Sequence, residues 1–259
     1  MNVTADFLED VREKFLDDLT RAGFDTKRLG GASVSDVAFT YFNVRHRLPS
    51  TRARPVYRSR QLLERSLESE IAVAVDAIVD ASERGASLGP YLHTKLTTRP
   101  AYHDLLLNAW GVYHFHVGSP APLPGKRHVE GRSELLFGYV TATGLYLIDL
   151  RDHDAFEDVE LVEILHANWP EAIAQHRAKG LAEPDEAYVS HGVARAKRFN
   201  MLIRVADGRL YFPPGGAYTA NGGSMRARID ADRLLNRATE IQEHRRGDFP
   251  AREPSDHRP

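Results

Sequence analysis

The 259-residue chain contains no cysteine. This absence excludes a disulfide framework and any metal site built on thiolates, and it suits a reducing compartment. No apolar run approaches the roughly 20 residues that a membrane-spanning helix needs. The N-terminal sequence MNVTADFLEDVREKF carries acidic residues where a secretion signal has a basic and then an apolar segment. We therefore predict a cytoplasmic protein with no membrane partner.

An excess of charge of either sign is also missing. The 34 lysines and arginines and the 36 aspartates and glutamates give a formal net charge of −2, so bulk charge does not favour nucleic acid. The arginines are nevertheless concentrated in residues 45–65, which hold Arg45, Arg47, Arg52, Arg54, Arg58, Arg60 and Arg65. This stretch could bind the phosphates of a polyanion, or it could be a solvated connector, as Pro49 and Pro55 suggest.

Apolar residues recur at helical spacing in the first part of the chain and then give way to β patterning. The periodicity predicts helices over 5–22, from an N-cap at Ser33 or Ser35 to Arg47, over 60–86 and over 102–110. Strands are predicted over 112–117, 134–140 and 145–150, with a hairpin turn at Gly144, and helices over 159–167 and after Pro170. A later β section is predicted to have strands over 200–205, 209–212 and 224–229 and a helix over 230–244.

This order of elements predicts an α+β fold. It has a helical N-terminal part, a central antiparallel sheet with flanking helices, and a small C-terminal β section with a closing helix. Four regions follow: a helical region with an Arg-rich connector (1–98), an α+β core (99–180), a small β section with a terminal helix (181–245) and a disordered tail (246–259).

Histidines carry the most suggestive chemistry in the sequence. Side chains at positions i and i+2 of a strand share a face, so His114 and His116 should project together while Phe115 faces the other way. His153 follows the strand at 145–150 and should lie near one end of this pair if the strands are neighbours. Arg132, at the start of the strand at 134–140, would add a cation.

Three interpretations of these imidazoles stay open. They could bind a divalent metal with His153 or His166 and an oxygen from Asp104, Asp149 or Asp152. They could act as general base and general acid, because an ordinary imidazole pKa of about 6.5 suits proton transfer at neutral pH. They could also be half-buried and donate to backbone carbonyls. The chain has no helical HExxH motif, so we favour acid–base chemistry and expect no metal or other cofactor.

Two segments, WGVYHFHVG (110–118) and GRSELLFGYVTATGLYLIDLRDHDAF (131–156), resemble the sheet of RelE/ParE/HigB-type toxins. The resemblance covers about residues 110–156. It implies metal-free cleavage of RNA through the 2′-hydroxyl, with Arg132 on the Arg-led strand and His153 as the basic residue that ends the last strand. Phe156 falls where the family often has tyrosine. Since Phe156 has no hydroxyl, the resemblance implies that histidines carry the proton transfers.

Together these observations predict a toxin-like, metal-independent endoribonuclease that uses histidine and arginine acid–base catalysis. The predicted catalytic residues are His114, His116, Arg132 and His153, and the predicted substrate-binding residues are Lys95, Arg52, Arg54, Arg58 and Trp110. RNA, in association with the ribosome, and a neutralising antitoxin protein would be the partners. The alternatives are a non-catalytic protein- or nucleic-acid-binding protein and a histidine-ligated metallohydrolase.

Overall fold

Residues 6–153, 160–180, 189–190 and 202–248 are described by a computed structural model, which confirms the predicted α+β class. The described helices are α1 (Phe7–Arg21), α2 (Val34–Arg47), α3 (Arg60–Glu64), α4 (Ser69–Glu83), α5 (Thr94–Thr98), α6 (Leu105–Trp110), α7 (Glu160–Asn168) and α8 (Met225–Asp248). The described strands are β1 (Val56–Arg58), β2 (Val112–His116), β3 (Glu134–Val140), β4 (Leu145–Asp152), β5 (Val189–Ser190), β6 (Leu202–Arg204) and β7 (Leu210–Tyr211). The predicted disordered tail is wrong at residues 246–248, which belong to α8, and its residues 249–259 lie outside the described residues.

The four-stranded sheet has the order β1-β4-β3-β2. The predicted antiparallel hairpin is confirmed as β3 and β4, with β2 antiparallel on the β3 side and β1 parallel on the β4 side. Helices cover both faces of this sheet. Leu135 and Phe137 of β3 pack on one face against α6 and α7, while Leu136 packs on the other face in the cluster that contains α4. Burial on both faces makes this hairpin the centre of the core.

A third core joins the N-terminal helices to α8. Phe15 and Leu19 of α1 pack with Val37 and Ala38 of α2 and with α8. Helix α8 therefore packs on the N-terminal helices. The division of the chain into four regions stays a prediction, and this packing links its first region to its third.

Two predicted elements are wrong in detail. The helix expected over 60–86 is divided into α3 and α4, because Arg65 has an extended backbone (φ −80°, ψ 130°). The strand expected over 224–229 is instead the start of α8, where the Ser224 hydroxyl accepts a hydrogen bond from the amide of Ala227 at 3.3 Å. The sequence MRARI alternates like a strand, but burial of Ala227 and Ala231 one turn apart against α2 favours the helix.

A buried carboxylate ties the end of β4 to its neighbours. Asp149 accepts two hydrogen bonds from Arg65, at 3.0 and 3.1 Å, and one from Arg151 at 2.9 Å. Arg151 also reaches Glu160 of α7 at 2.7 Å. The Asp149 contacts therefore fix the chain just after α3, and the Arg151 contact fixes α7, against the same end of the sheet.

We expect Asp149→Ala to lower the free energy of unfolding by about 2–3 kcal/mol, because it removes the buried carboxylate that accepts three charge-assisted hydrogen bonds from Arg65 and Arg151. Asp76→Ala is the matched control, since it removes an exposed ion pair with Arg58 and should cost less than about 1 kcal/mol. Urea denaturation of both variants measures the difference. Equal losses would contradict the role given to Asp149.

Candidate active site

The predicted pair His114 and His116 lies on one face of β2, and a third histidine joins it. Leu92 forms a β-bridge with Phe115 on the outer edge of β2, which brings the next residue, His93, alongside the pair. The ring centroids are 6.4 Å apart for His93 and His114, 6.0 Å for His93 and His116, and 6.4 Å for His114 and His116. We call these three residues the histidine cluster.

Side chains around α5 and α6 form the wall of the histidine cluster. Tyr102 stacks on His93 with ring centroids 5.7 Å apart, and the Lys95 ammonium lies 5.7 Å from the centre of the Tyr102 ring. Asp104 caps α6 by accepting from the amide of Leu107, and its other oxygen lies 3.5 Å from Nδ1 of His114. The cluster thus has an aromatic side, a cation and one buried carboxylate.

A buried guanidinium holds this wall in place. Arg47 of α2 donates to the carbonyls of Arg99 (2.6 Å), Pro100 (3.1 Å) and Tyr102. Burial lowers the pKa of Arg47 to about 10, and Asp104 opposes that decrease. Arg47 therefore stays charged at neutral pH, and it fixes the segment that delivers Tyr102 and Asp104.

The imidazoles of the histidine cluster are neutral at pH 7. Burial lowers the pKa of His114, and it lowers the pKa of His93 with a contribution from His114. The pKa of His116 falls to about 4, first through burial and then through repulsion from His114 and His93. His153 also lowers the pKa of both His114 and His116, so it lies within electrostatic reach of the cluster.

Hydrogen-bond partners assign the tautomers of two histidines. Nδ1 of His93 accepts from the amide of Lys95 at 3.1 Å, which leaves the proton of the neutral ring on Nε2. Nδ1 of His153 lies 2.8 Å from the carbonyl oxygen of Ser133, an acceptor, so Nδ1 carries the proton and Nε2 the lone pair. Nε2 of His93 is therefore a donor, and Nδ1 of His153 is the donor to the Ser133 carbonyl.

His116 has no structural partner of this kind. Its Nδ1 is buried without a hydrogen bond to the part of the chain that the structure describes, and it faces Gly131, where a Cβ would come within 3.4 Å. Buried polar atoms in native proteins are nearly always paired, so an unpaired one needs an explanation.

The structure places other predicted site residues away from these contacts. Arg132 pairs with Glu68 and Glu70, each at 3.3 Å, and Arg58 pairs with Asp76. Arg54 is only 4% exposed and donates to the carbonyls of Thr141 and Ser50. Its burial argues against contact with a substrate.

Lys95 and Arg52 are exposed, and Lys95 belongs to the wall of the cluster. Trp110 is 1% exposed and packs in the core, which argues against its predicted stacking on a base. His166, a possible metal ligand in the sequence, bonds instead to Tyr211 and Asp207, both at 2.9 Å. Phe156 lies outside the described residues.

Sequence reasoning did not select His93 or Tyr102. His93 was one more histidine in a polar segment, HTKLTTR, and the bridge from Leu92 to Phe115 has no local signal. An N-cap pattern at Asp104 could have placed that carboxylate at the start of α6, though not beside His114.

Comparison with protein-family models, curated proteins and solved structures found no match to this chain. Within the described residues, no three histidine, aspartate or glutamate side chains are grouped so that they could hold a metal ion. No helix in the described ranges is long and apolar enough to cross a membrane.

We expect the stability of the protein to fall as the pH is lowered from 6.5 to about 4, partly through His116. The folded-state pKa is below the unfolded value, so the unfolded chain binds more protons in this window and protonation favours unfolding. His116→Gln should make the decrease in unfolding free energy with pH shallower. Chemical denaturation at several pH values measures it, and an unchanged slope would contradict the low pKa.

Proposed function

We propose that this protein is a metal-independent endoribonuclease whose reaction centre is the histidine cluster with His153. The 2′-hydroxyl loses its proton to an imidazole, and its oxygen attacks the adjacent phosphorus. The bond from phosphorus to the 5′-oxygen breaks, and that oxygen gains a proton. The products are a 2′,3′-cyclic phosphate and a free 5′-hydroxyl, and the step needs only a base, a proton donor and a cation.

The observation that carries the proposal is the placement of His116. A ring with an unpaired, buried Nδ1 lies beside two other imidazoles, at 6.0 Å from His93 and 6.4 Å from His114. A structural histidine would have a hydrogen-bond partner, as His166 does with Tyr211 and Asp207. Burial lowers the pKa of all three rings, and reactive sites are where groups with such perturbed pKa values concentrate.

An anionic substrate would raise the pKa of these imidazoles toward the values that proton transfer at neutral pH needs. A phosphodiester bound beside the cluster favours the protonated form of each imidazole and raises its pKa toward neutrality. His116 is then the general base, because it is neutral before the substrate binds. His93, once its ring is protonated beside the phosphodiester, is the donor to the departing oxygen through Nε2–H and returns to its neutral form. His153, whose Nδ1 donates to the Ser133 carbonyl, is the second candidate base through Nε2.

The cation beside the reacting phosphate is Lys95 in this proposal, with Arg132 as the alternative. Lys95 makes no ion pair with an acidic residue in the described ranges, and it sits over Tyr102 next to His93. The charge of Arg132 is instead offset by Glu68 and Glu70. A catalytic role for Arg132, suggested by the toxin resemblance, stays a prediction.

A histidine-ligated metal centre is the alternative reaction centre, but the described residues hold no three histidine, aspartate or glutamate side chains grouped to bind a metal ion. The tautomer of His93 argues against it. A neutral imidazole binds a metal through the nitrogen without a proton, and Nδ1 of His93 already accepts from the Lys95 amide.

Purified protein incubated with RNA in EDTA tests the proposal. We expect cleavage to cyclic-phosphate ends, and His116→Ala should reduce it by about 10²- to 10⁴-fold because a general base is lost. His244→Ala, an exposed histidine on α8, is the matched control and should cleave normally. Cleavage that needs added metal would support the metallohydrolase. RNA that is bound but left intact under every condition would support a binding protein.

The choice of cation has its own test. Lys95→Gln should lower kcat by about tenfold or more, since a charged donor to the transition state is removed, whereas Arg132→Gln should have a smaller effect. Single-turnover cleavage assays at saturating protein separate this loss from weaker binding. The reverse order of effects would return the role to Arg132.

A further inference from the structure

A large cleft lies between the N-terminal helices and the loop that joins β2 to β3 (residues 117–133). Its volume is about 720 Å³, which falls in the range of roughly 300–1,000 Å³ typical of ligand sites. Its lining is apolar at Leu19 and Val44 and charged at Arg45 and Arg127. We call it the α1–α2 cleft.

Two guanidiniums bring positive charge to the α1–α2 cleft, and within the described ranges no acidic side chain offsets it by an ion pair. Arg45 and Arg127 are both exposed. The Arg45 guanidinium lies 5.7 Å from the centre of the Tyr41 ring and donates to the Tyr41 hydroxyl at 3.2 Å, so a ring holds it instead of a carboxylate. Asp18, an acid in the lining, is engaged by Lys14 of the same helix. The cleft is therefore suited to an anionic ligand.

The Arg-rich stretch of residues 45–65 contributes to this charge through Arg45. Its other arginines, except Arg52, have partners within the protein. Arg47 and Arg54 donate to backbone carbonyls, and Arg58, Arg60 and Arg65 form ion pairs with acidic residues. Arg45 is thus the member of the stretch that is exposed, lines the cleft and lacks an acidic partner in the described chain.

Two hydrogen bonds hold the β2–β3 loop, with Arg127 and His128, at the α1–α2 cleft. The amide of Val129 donates to the carbonyl of Pro90 at 3.0 Å. Nε2 of His128 lies 2.6 Å from the hydroxyl oxygen of Thr97 on α5. The loop is therefore anchored both to the segment before α5 and to α5 itself.

Helix α5 connects the α1–α2 cleft to the histidine cluster. His93 caps α5, and Thr97, which lines the cleft, follows four residues later, a rise of about 6 Å along a helix. His128, also in the lining, lowers the pKa of His93 and of His116, so it lies within electrostatic reach of both. A polymeric ligand that occupies the cluster has room to continue into the cleft.

We propose that the α1–α2 cleft binds single-stranded RNA beside the scissile phosphate, with Arg45 and Arg127 on its phosphates. Two exposed guanidiniums in one cleft suit a polyanion. The apolar lining is covered by unpaired bases, whereas a duplex keeps its bases stacked inside and presents its phosphates outward. The position beside the scissile phosphate rests on the proposed nuclease function, and the binding of RNA in the cleft does not.

Fluorescence anisotropy of the full chain with a labelled single-stranded 2′-O-methyl RNA oligonucleotide tests the proposal. This probe has no free 2′-hydroxyl, so it reports binding without cleavage. Arg45→Gln and Arg127→Gln should each weaken binding by about threefold or more, and each should reduce the slope of log Kd against log salt by about 0.7, the value for one phosphate contact in a single strand. Arg60→Gln alters an exposed arginine of the same Arg-rich stretch outside the cleft. It removes the same charge and should bind like the wild type.

The salt dependence and the duplex decide against the proposal in defined ways. Absence of binding by the wild type, or an unchanged salt slope in the Arg45→Gln/Arg127→Gln double variant, would overturn it. Tighter binding of an RNA duplex of the same sequence would overturn the assignment to single strands.

Failure of the nuclease proposal is distinguishable from failure here. His116→Ala should bind the oligonucleotide like the wild type, because this ring is not in the lining of the cleft. With cleavable RNA, the two arginine variants should raise KM more than they lower kcat, since their contacts are made before the transition state. Binding that depends on both arginines, without any cleavage by the wild type, would retain the cleft and reject the nuclease.

Discussion

Burial of β3 and β4 on both faces is the constraint on which the other elements depend. Apolar side chains of β3 alternate between the α6 and α7 side and the α4 side, so neither layer can shift without exposing part of the core. This hairpin sets the register of β2 through His114↔Phe137 and His116↔Leu135. The histidines are thereby held on a strand whose neighbour cannot slip, because a shift of one residue would reverse every side chain.

Charge at the site is controlled by the same burial. The histidine cluster sits where desolvation disfavours protonated imidazole, while Arg47 keeps its charge because three backbone carbonyls surround it. Arg47 also connects the helical layer of α2 to the segment that carries Tyr102 and Asp104. Arg47, from the Arg-rich stretch, thus has a structural role. It positions the segment that carries Tyr102 and Asp104.

Elements whose pattern involves only neighbouring residues were predicted correctly, and elements that depend on residues far apart in the chain were not. The strand at 134–140 and the helix that begins after Ser33 were placed correctly, since alternation and a capping side chain act between neighbours. The break at Arg65 and the start of α8 were missed because packing against distant residues, Asp149 for the first and α2 for the second, overrides a weak local pattern.

The sequence by itself determined that His114 and His116 share a face of a strand, because the two-residue period of β-structure requires it. Tertiary structure decided which other residues lie beside these two histidines. His93 joins through a bridge between Leu92 and Phe115, and Trp110 and Arg54 turn inward to the core. Such contacts join residues far apart in the chain, and the free energy that selects them is the burial of shared surface, which no local spacing encodes.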